Sequence, residues 1–151
     1  MPKVIFLDFD GVLAIKWTIP ELYFPQIPEV LSQLHTKGYI LCVISYNPLA
    51  KEAIRRWDLD KFVTAIRAGC NQKWDGNYSD AIHRCDLSKA EQIRDILTTE
   101  LKDLPITHED CIFLDDDVAN LTLVQQHLPE VKTIHVDENT GLTDQLIGDF
   151  V

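Results

Sequence analysis

No apolar run in these 151 residues approaches the ~18 to 20 that a membrane-spanning helix needs, and the N-terminus lacks the basic-then-apolar pattern of a signal peptide. The chain is therefore expected to be cytoplasmic and to have no membrane partner. Basic residues are scarce. Lys and Arg number 14 against 24 Asp and Glu, and the net charge of −10 disfavours broad attraction to nucleic acid or an anionic surface. The four cysteines form no CxxC pair. Cys42 and Cys111 sit inside apolar runs and read as buried reduced thiols, since a free cysteine packs as a small hydrophobe. Cys70, His83 and Cys85 offer only three ligands, in a spacing that matches no zinc pattern. Repeats and low-complexity stretches are also missing, so one domain spanning residues 1–151 is expected.

What is present fits a globular enzyme-sized core, with 46% apolar and 25% charged residues. Five apolar runs of strand length recur: "VIFL" (4–7), "YILCVIS" (39–45), "FVTAI" (62–66), "CIFL" (111–114) and "TIHV" (133–136). Amphipathic segments separate them, the alternation expected of a parallel sheet covered by helices. "PEVLSQLHTKG" reads as a helix closed by Gly38, and "PLAKEAIRRWD" as one that starts at Pro48. In "SKAEQIRDILTTEL", Ser88 and Glu91 are spaced as a capping box, while Ile93, Ile96, Leu97 and Leu101 mark one face. "VANLTLVQQHL" is the last helix. Residues 14–26 and 67–87 break the alternation; the aromatics Trp17, Tyr23 and Phe24 in the first are expected to close over the core edge. Six basic residues (Lys51, Arg55, Arg56, Lys61, Arg67, Lys73) stand against four acidic ones up to Asp75. They read as a solvated face, with an anion-steering patch as the alternative.

Chemistry concentrates where the apolar runs end. Asp8 and Asp10 follow the first run, and residues two apart on a strand point to the same side, about 6.5 to 7 Å apart, so both can address one small ligand. Ligands in open α/β sheets bind beyond the carboxyl ends of the strands. A lone DxDG is equally a polar loop, so the other strand ends decide. The second run ends in Ser45, Tyr46 and Asn47 before a helix, where a hydroxyl and unpaired N–H groups suit an anion. The fourth ends in Asp115, Asp116 and Asp117, with Asn120 a turn later. Three consecutive acids in a crevice repel one another unless a cation intervenes, and hard oxygen ligands suit Mg²⁺. Lys89, at the start of a helix where the dipole opposes it, asks for an anionic partner.

In this order, "DFDGVL", "VISYN", "SKAEQI" and "FLDDDVAN" resemble the four motifs of the haloacid dehalogenase superfamily of aspartate-nucleophile phosphatases, over residues 4 to 120. "FLDD" with Asn120 beyond it is most similar to the magnesium-dependent branch that lacks a large cap domain. The resemblance implies a doubly wound, Rossmann-like parallel sheet of about five strands with helices on both faces. It also implies a Mg²⁺-dependent phosphatase that hydrolyses a phosphomonoester through an aspartyl-phosphate. Asp8 is then the nucleophile and Asp10 the general acid/base, with Gly11, Ser45, Tyr46, Asn47 and Lys89 around the phosphoryl group. Asp8, Asp10 through its carbonyl, and Asp116 would hold Mg²⁺. Asp115 competes with Asp116 for that role, and Lys73 with Lys89 for that of the motif lysine.

The phosphorylated substrate stays open between a protein, a small molecule and a nucleic-acid end, and oligomerisation stays open too. An enzyme resembling polynucleotide 3′-phosphatases is the alternative within the fold. A receiver-like phospho-acceptor would need an Asp at the end of a middle strand, where this chain has Arg67.

Overall fold

The computed structural model describes residues 3–18, 22–69 and 88–148. Its core is a parallel sheet of β1 (Val4–Leu7), β4 (Ile40–Ser45), β5 (Ala65–Ala68), β6 (Cys111–Asp115) and β7 (Lys132–His135), in the spatial order β5-β4-β1-β6-β7. Two further short strands, β2 (Ala14–Ile15) and β3 (Leu22–Tyr23), pair antiparallel as a separate hairpin. β1 lies at the centre, in register with β4 (Val4 opposite Ile40) and with β6 (Val4 opposite Cys111). Chain order reverses between β1 and β6, and such a switch point opens a crevice at the carboxyl ends of the strands.

Alternate residues of the central strands face opposite layers. Ile5, Leu7, Leu41, Val43, Ile112 and Leu114 pack with α1 (Ile27–Thr36), α2 (Ala50–Arg56) and α5 (Asp144–Gly148). Val4, Phe6, Cys42, Ile44 and Phe113 pack with α3 (Lys89–Thr98) and α4 (Val118–His127). Each strand is thus apolar on both faces, which explains why β1 reads as an unbroken apolar run. α1 buries Ile27, Val30, Leu31 and Leu34 at helical spacing and ends before Gly38, whose φ of +90° suits glycine. Cys42 and Cys111 are buried free thiols, and burial pushes both up to about 12, so neither is a nucleophile at neutral pH.

Several boundaries differ from the sequence reading. The third strand lies at Ala65–Ala68 rather than 62–66, because the carbonyls of Leu59 and Asp60 take the amides of Phe62 and Val63 and close a 3₁₀ turn. α2 starts at Ala50 rather than Pro48: Asn47 Oδ1 accepts from Leu49 N at 2.9 Å, and that Asx turn occupies the residues between. At α3 the Ser88 hydroxyl accepts from Glu91 N at 3.3 Å, but the Glu91 carboxylate returns to the Ser88 hydroxyl, at 3.5 Å, so half of the capping box forms. The stretch 14–26 carries the β2–β3 hairpin. Its Phe24 is buried and its Tyr23 packs edge-on against Trp57, as expected of residues closing the core edge, whereas Trp17 is 93% exposed. Cys70, Lys73, His83 and Cys85 lie outside the described residues.

Candidate active site

The site is built on the ends of three adjacent strands. β1 runs into Asp8, whose amide continues the ladder to Leu114 O at 3.0 Å and so aims the side chain into the crevice. Behind it the chain turns sharply: the Phe9 carbonyl accepts from Leu13 and Ala14, both at 2.9 Å, and Gly11 sits at φ +81°. A Cβ built on Gly11 would lie 2.6 Å from Asp116 Oδ2, so a side chain there would displace an acidic residue of the site. Glycine suits the position both for its backbone and for the close approach of the Asp116 side chain.

Lys89 is fully buried at the start of α3, and its ammonium donates to Asp8 Oδ1 at 2.7 Å and to Ile44 O at 2.6 Å. It stands 3.9 Å from Asp115 Oδ2. Burial alone would lower its pKa; the charges of Asp8 and Asp115 outweigh that and raise it, so the lysine stays charged. Tyr46 supports it twice, accepting from Lys89 N at 3.0 Å and placing its ring 4.9 Å from the ammonium. The sequence reading set Tyr46 beside the phosphoryl group; its hydroxyl is engaged by α3.

Asp10 extends from the turn toward the end of β4, where Asn47 Nδ2 donates to its Oδ2 at 3.3 Å. Burial, with a smaller push from Asp8, lifts its pKa from 3.8 to about 6. Ser45, 1% exposed, accepts from Asn47 N at 3.0 Å, which leaves its own O–H proton available to a ligand. Gln92 fixes this strand end from α3, donating to Ser45 O and to Gly69 O, both at 3.1 Å.

Asp115 is completely buried at the end of β6, where its carboxylate accepts from Asp117 N at 2.9 Å and Asn120 Nδ2 at 3.1 Å. Burial and the neighbouring Asp8 charge push its pKa well above the ordinary carboxylate range. Asp116 ion-pairs with Lys16, which reaches across from the hairpin and also meets Glu138 at 3.0 Å. One carboxylate oxygen from each of Asp8, Asp115 and Asp116 lies within 4.8 Å of the others. This donor set fits a hard divalent cation: all ligands are oxygens, and a carboxyl that buried repulsion would drive to bind a proton can be satisfied by a metal instead. Asp115 and Asp116 both belong to the cluster, so the two are joint candidates.

Every sequence-derived site residue within the described stretches thus converges on one crevice, Lys89 and not only the carboxylates. Lys16 escaped the sequence reading because only the hairpin fold brings it back to Asp116. Of the basic segment, Arg67 is committed to protein carboxylates: it pairs with Asp95 at 2.6 Å and clamps both oxygens of Glu100, holding the pKa of that acid down at about 2.

No protein-family model and no curated protein matches the chain. Solved structures do. The N-terminal, phosphatase-domain-containing part of a Bacteroides fragilis protein, in complex with Mg, superposes at TM-score 0.69 and 21% identity, over 98% of this chain and 39% of that one. A Moraxella catarrhalis 3-deoxy-D-manno-octulosonate 8-phosphate phosphatase with magnesium, phosphate and sugar bound is similar at TM-score 0.55 and 21% identity, over 82% of this chain and 63% of that one. A haloacid dehalogenase-like hydrolase from Streptococcus pneumoniae matches at TM-score 0.64 and 13% identity, over 97% and 90%. The chain therefore has the haloacid dehalogenase-like fold, and it spans well under half the length of the Bacteroides structure and less than two thirds of the Moraxella one.

Proposed function

We propose that this chain is a Mg²⁺-dependent phosphatase that hydrolyses a phosphomonoester through an aspartyl-phosphate on Asp8. The carrying observation is the meeting of Asp8, Asp115 and Asp116 within 4.8 Å at the switch point, with the Lys89 ammonium 2.7 Å from Asp8. Mg²⁺ would be held by Asp8, Asp116 and Asp115 with the Asp10 carbonyl, and supplies the positive charge that lets a carboxylate approach a phosphate dianion. The Mg bound in the Bacteroides and Moraxella structures supports this choice of cation. Asp8 attacks phosphorus and the P–O bond to the leaving alcohol breaks. Asp10 is suited to protonate that oxygen because its carboxyl holds a proton up to about pH 6; it then takes a proton from the water that hydrolyses the acyl phosphate. The Ser45 hydroxyl and the Lys89 ammonium hold equatorial oxygens while charge builds on them.

The metal reading has a direct thermal test. Asp10 and Asp115 carry raised folded-state pKa values, so at these two positions the folded protein binds more protons than the unfolded chain above pH 3.8. Stability without metal therefore falls as pH rises through about 6 for Asp10, and further for Asp115. Mg²⁺ takes the place of those protons. Its stabilisation is expected to be small at pH 5 and to reach about 5 to 10 °C in melting temperature at pH 8, for Mg²⁺ at ~100-fold over Kd. A melting temperature that ignores Mg²⁺ at both pH values would rule the site out.

The mouth of the site is read as open. The segment between β1 and α1 is a short hairpin, too small for a globular cap, and Trp17 and Leu22 on it are 93% and 53% exposed. A small substrate would meet few groups beyond the phosphoryl, whereas a phosphopeptide or nucleic-acid end could use the hairpin. Comparing kcat/KM for a phosphopeptide and a 3′-phosphorylated oligonucleotide with values for sugar and nucleotide phosphates tests this. A small phosphate turned over ~100-fold better, about 2.7 kcal/mol in transition-state binding, would reverse it.

A further inference from the structure

Lys16 does something that the catalytic scheme does not use. It lies just past β2 in the hairpin, yet its ammonium pairs with Asp116 at the end of β6 and, at 3.0 Å, with Glu138 beyond β7. Its stem crosses the Gly11 turn, where a Cβ would lie 3.1 Å from Lys16 Cε. The next residue, Trp17, has φ +65°, a left-handed backbone that a bulky side chain adopts at a cost, and its ring is 93% exposed, so packing of its own does not offset that cost. Strain of this kind persists only where neighbouring contacts hold the chain: on one side Thr18 Oγ1 donates to Ile15 O at 2.8 Å and accepts from Leu22 N at 3.1 Å, and on the other stands the Lys16 ion pair, the contact that ties this turn to the acidic centre.

We propose that Lys16 and a divalent cation compete for the Asp116 carboxylate, which makes Lys16 a positioning residue that couples metal binding to the hairpin. The proposal rests on the metal reading above. Asp8 has Lys89 as its cation, and Asp115 has Lys89 at 3.9 Å together with Asn120 and the Asp117 amide. Asp116, with its side chain 3% exposed, has Lys16. A dication drawn to the three carboxylates meets an ammonium at the third, and two like charges at contact distance oppose each other. Glu138, half exposed, remains as a partner to which the ammonium can shift. The coupling is reciprocal: metal weakens the hold on the hairpin, and the held hairpin weakens metal binding.

Calorimetric titration of the full chain with MgCl₂ tests this in the parent protein, Lys16→Met and Lys16→Arg, with amide hydrogen exchange followed across residues 14–18. Lys16→Met is expected to bind Mg²⁺ at least fivefold more tightly, Lys16→Arg to stay within about twofold of the parent, and Mg²⁺ to speed exchange at 14–18 in the parent. If the parent binds Mg²⁺ and Lys16→Met binds it equally or less tightly, the competition is overturned while the metal site stands. If no variant binds Mg²⁺, the metal site and the competition both fall. Exchange at 14–18 that does not change with Mg²⁺ in the parent overturns the link to the hairpin.

Discussion

Asp8→Asn is expected to reduce hydrolysis of p-nitrophenyl phosphate by on the order of 10⁴-fold or more while the protein stays folded. An amide has nearly the shape of a carboxylate but no nucleophilic oxygen anion, so the chemical step loses its attacking group. Folding should not suffer correspondingly. Asp8 sits among Asp10, Asp115 and Asp116, and its charge is a cause of the raised pKa at both Asp10 and Asp115. Removing it relieves that repulsion, and without the Asp8 charge Asp115 ionises more readily and takes over as the anionic neighbour of Lys89 at 3.9 Å. The metal-free melting temperature is therefore expected to hold or rise. Activity near that of the parent in a clean preparation would remove Asp8 from the nucleophile's role.

Lys89→Met should act on stability as well as on catalysis. The ammonium is buried beneath Asp8 and Asp115, held by Asp8 and the Ile44 carbonyl, and its positive charge is the compensation that lets those carboxylates lie inside the protein. Methionine matches the stem but leaves buried negative charge unpaired, a change that typically costs about 3 to 5 kcal/mol. Part of the loss is recovered where the acids can bind protons, so the deficit should be smaller at pH 5 than at pH 8. Urea denaturation at the two pH values measures both. A loss under about 1 kcal/mol at pH 8 would show that Lys89 does not balance the acidic centre.

The central strands were legible because each is buried on both faces, which forces continuous apolar runs such as "VIFL" and "YILCVIS". Asp8 and Asp115 were legible because they stand at the first position after such runs, where the sheet stops needing apolar residues, and Asp10 and Asp116 follow them within two residues. Element ends were less so. Phe62 and Val63 have strand-forming side chains, yet backbone hydrogen bonds to Leu59 and Asp60 draw them into a turn. Pro48 suits a first helical turn, but the Asn47 side chain claims the Leu49 amide first. Tyr46 and Lys16 illustrate the deeper limit. Nothing local to Tyr46 announces that its hydroxyl accepts from the first amide of α3, and a lysine in a loop has no pattern that announces Asp116, 100 residues away, as its partner. Such pairings are set by topology, which local sequence does not encode.

The central claim, a covalent phosphoryl group on Asp8, is tested most directly by reductive trapping. The full chain is mixed with Mg²⁺ and p-nitrophenyl phosphate, quenched in acid during turnover and treated with borohydride, which reduces an acyl phosphate to an alcohol and so converts aspartate to homoserine. Peptide mass spectrometry is expected to find homoserine at position 8, dependent on both Mg²⁺ and substrate and absent from Asp8→Asn. Robust turnover with position 8 unmodified, or with the modification at Asp10, Asp115 or Asp116 instead, would contradict it.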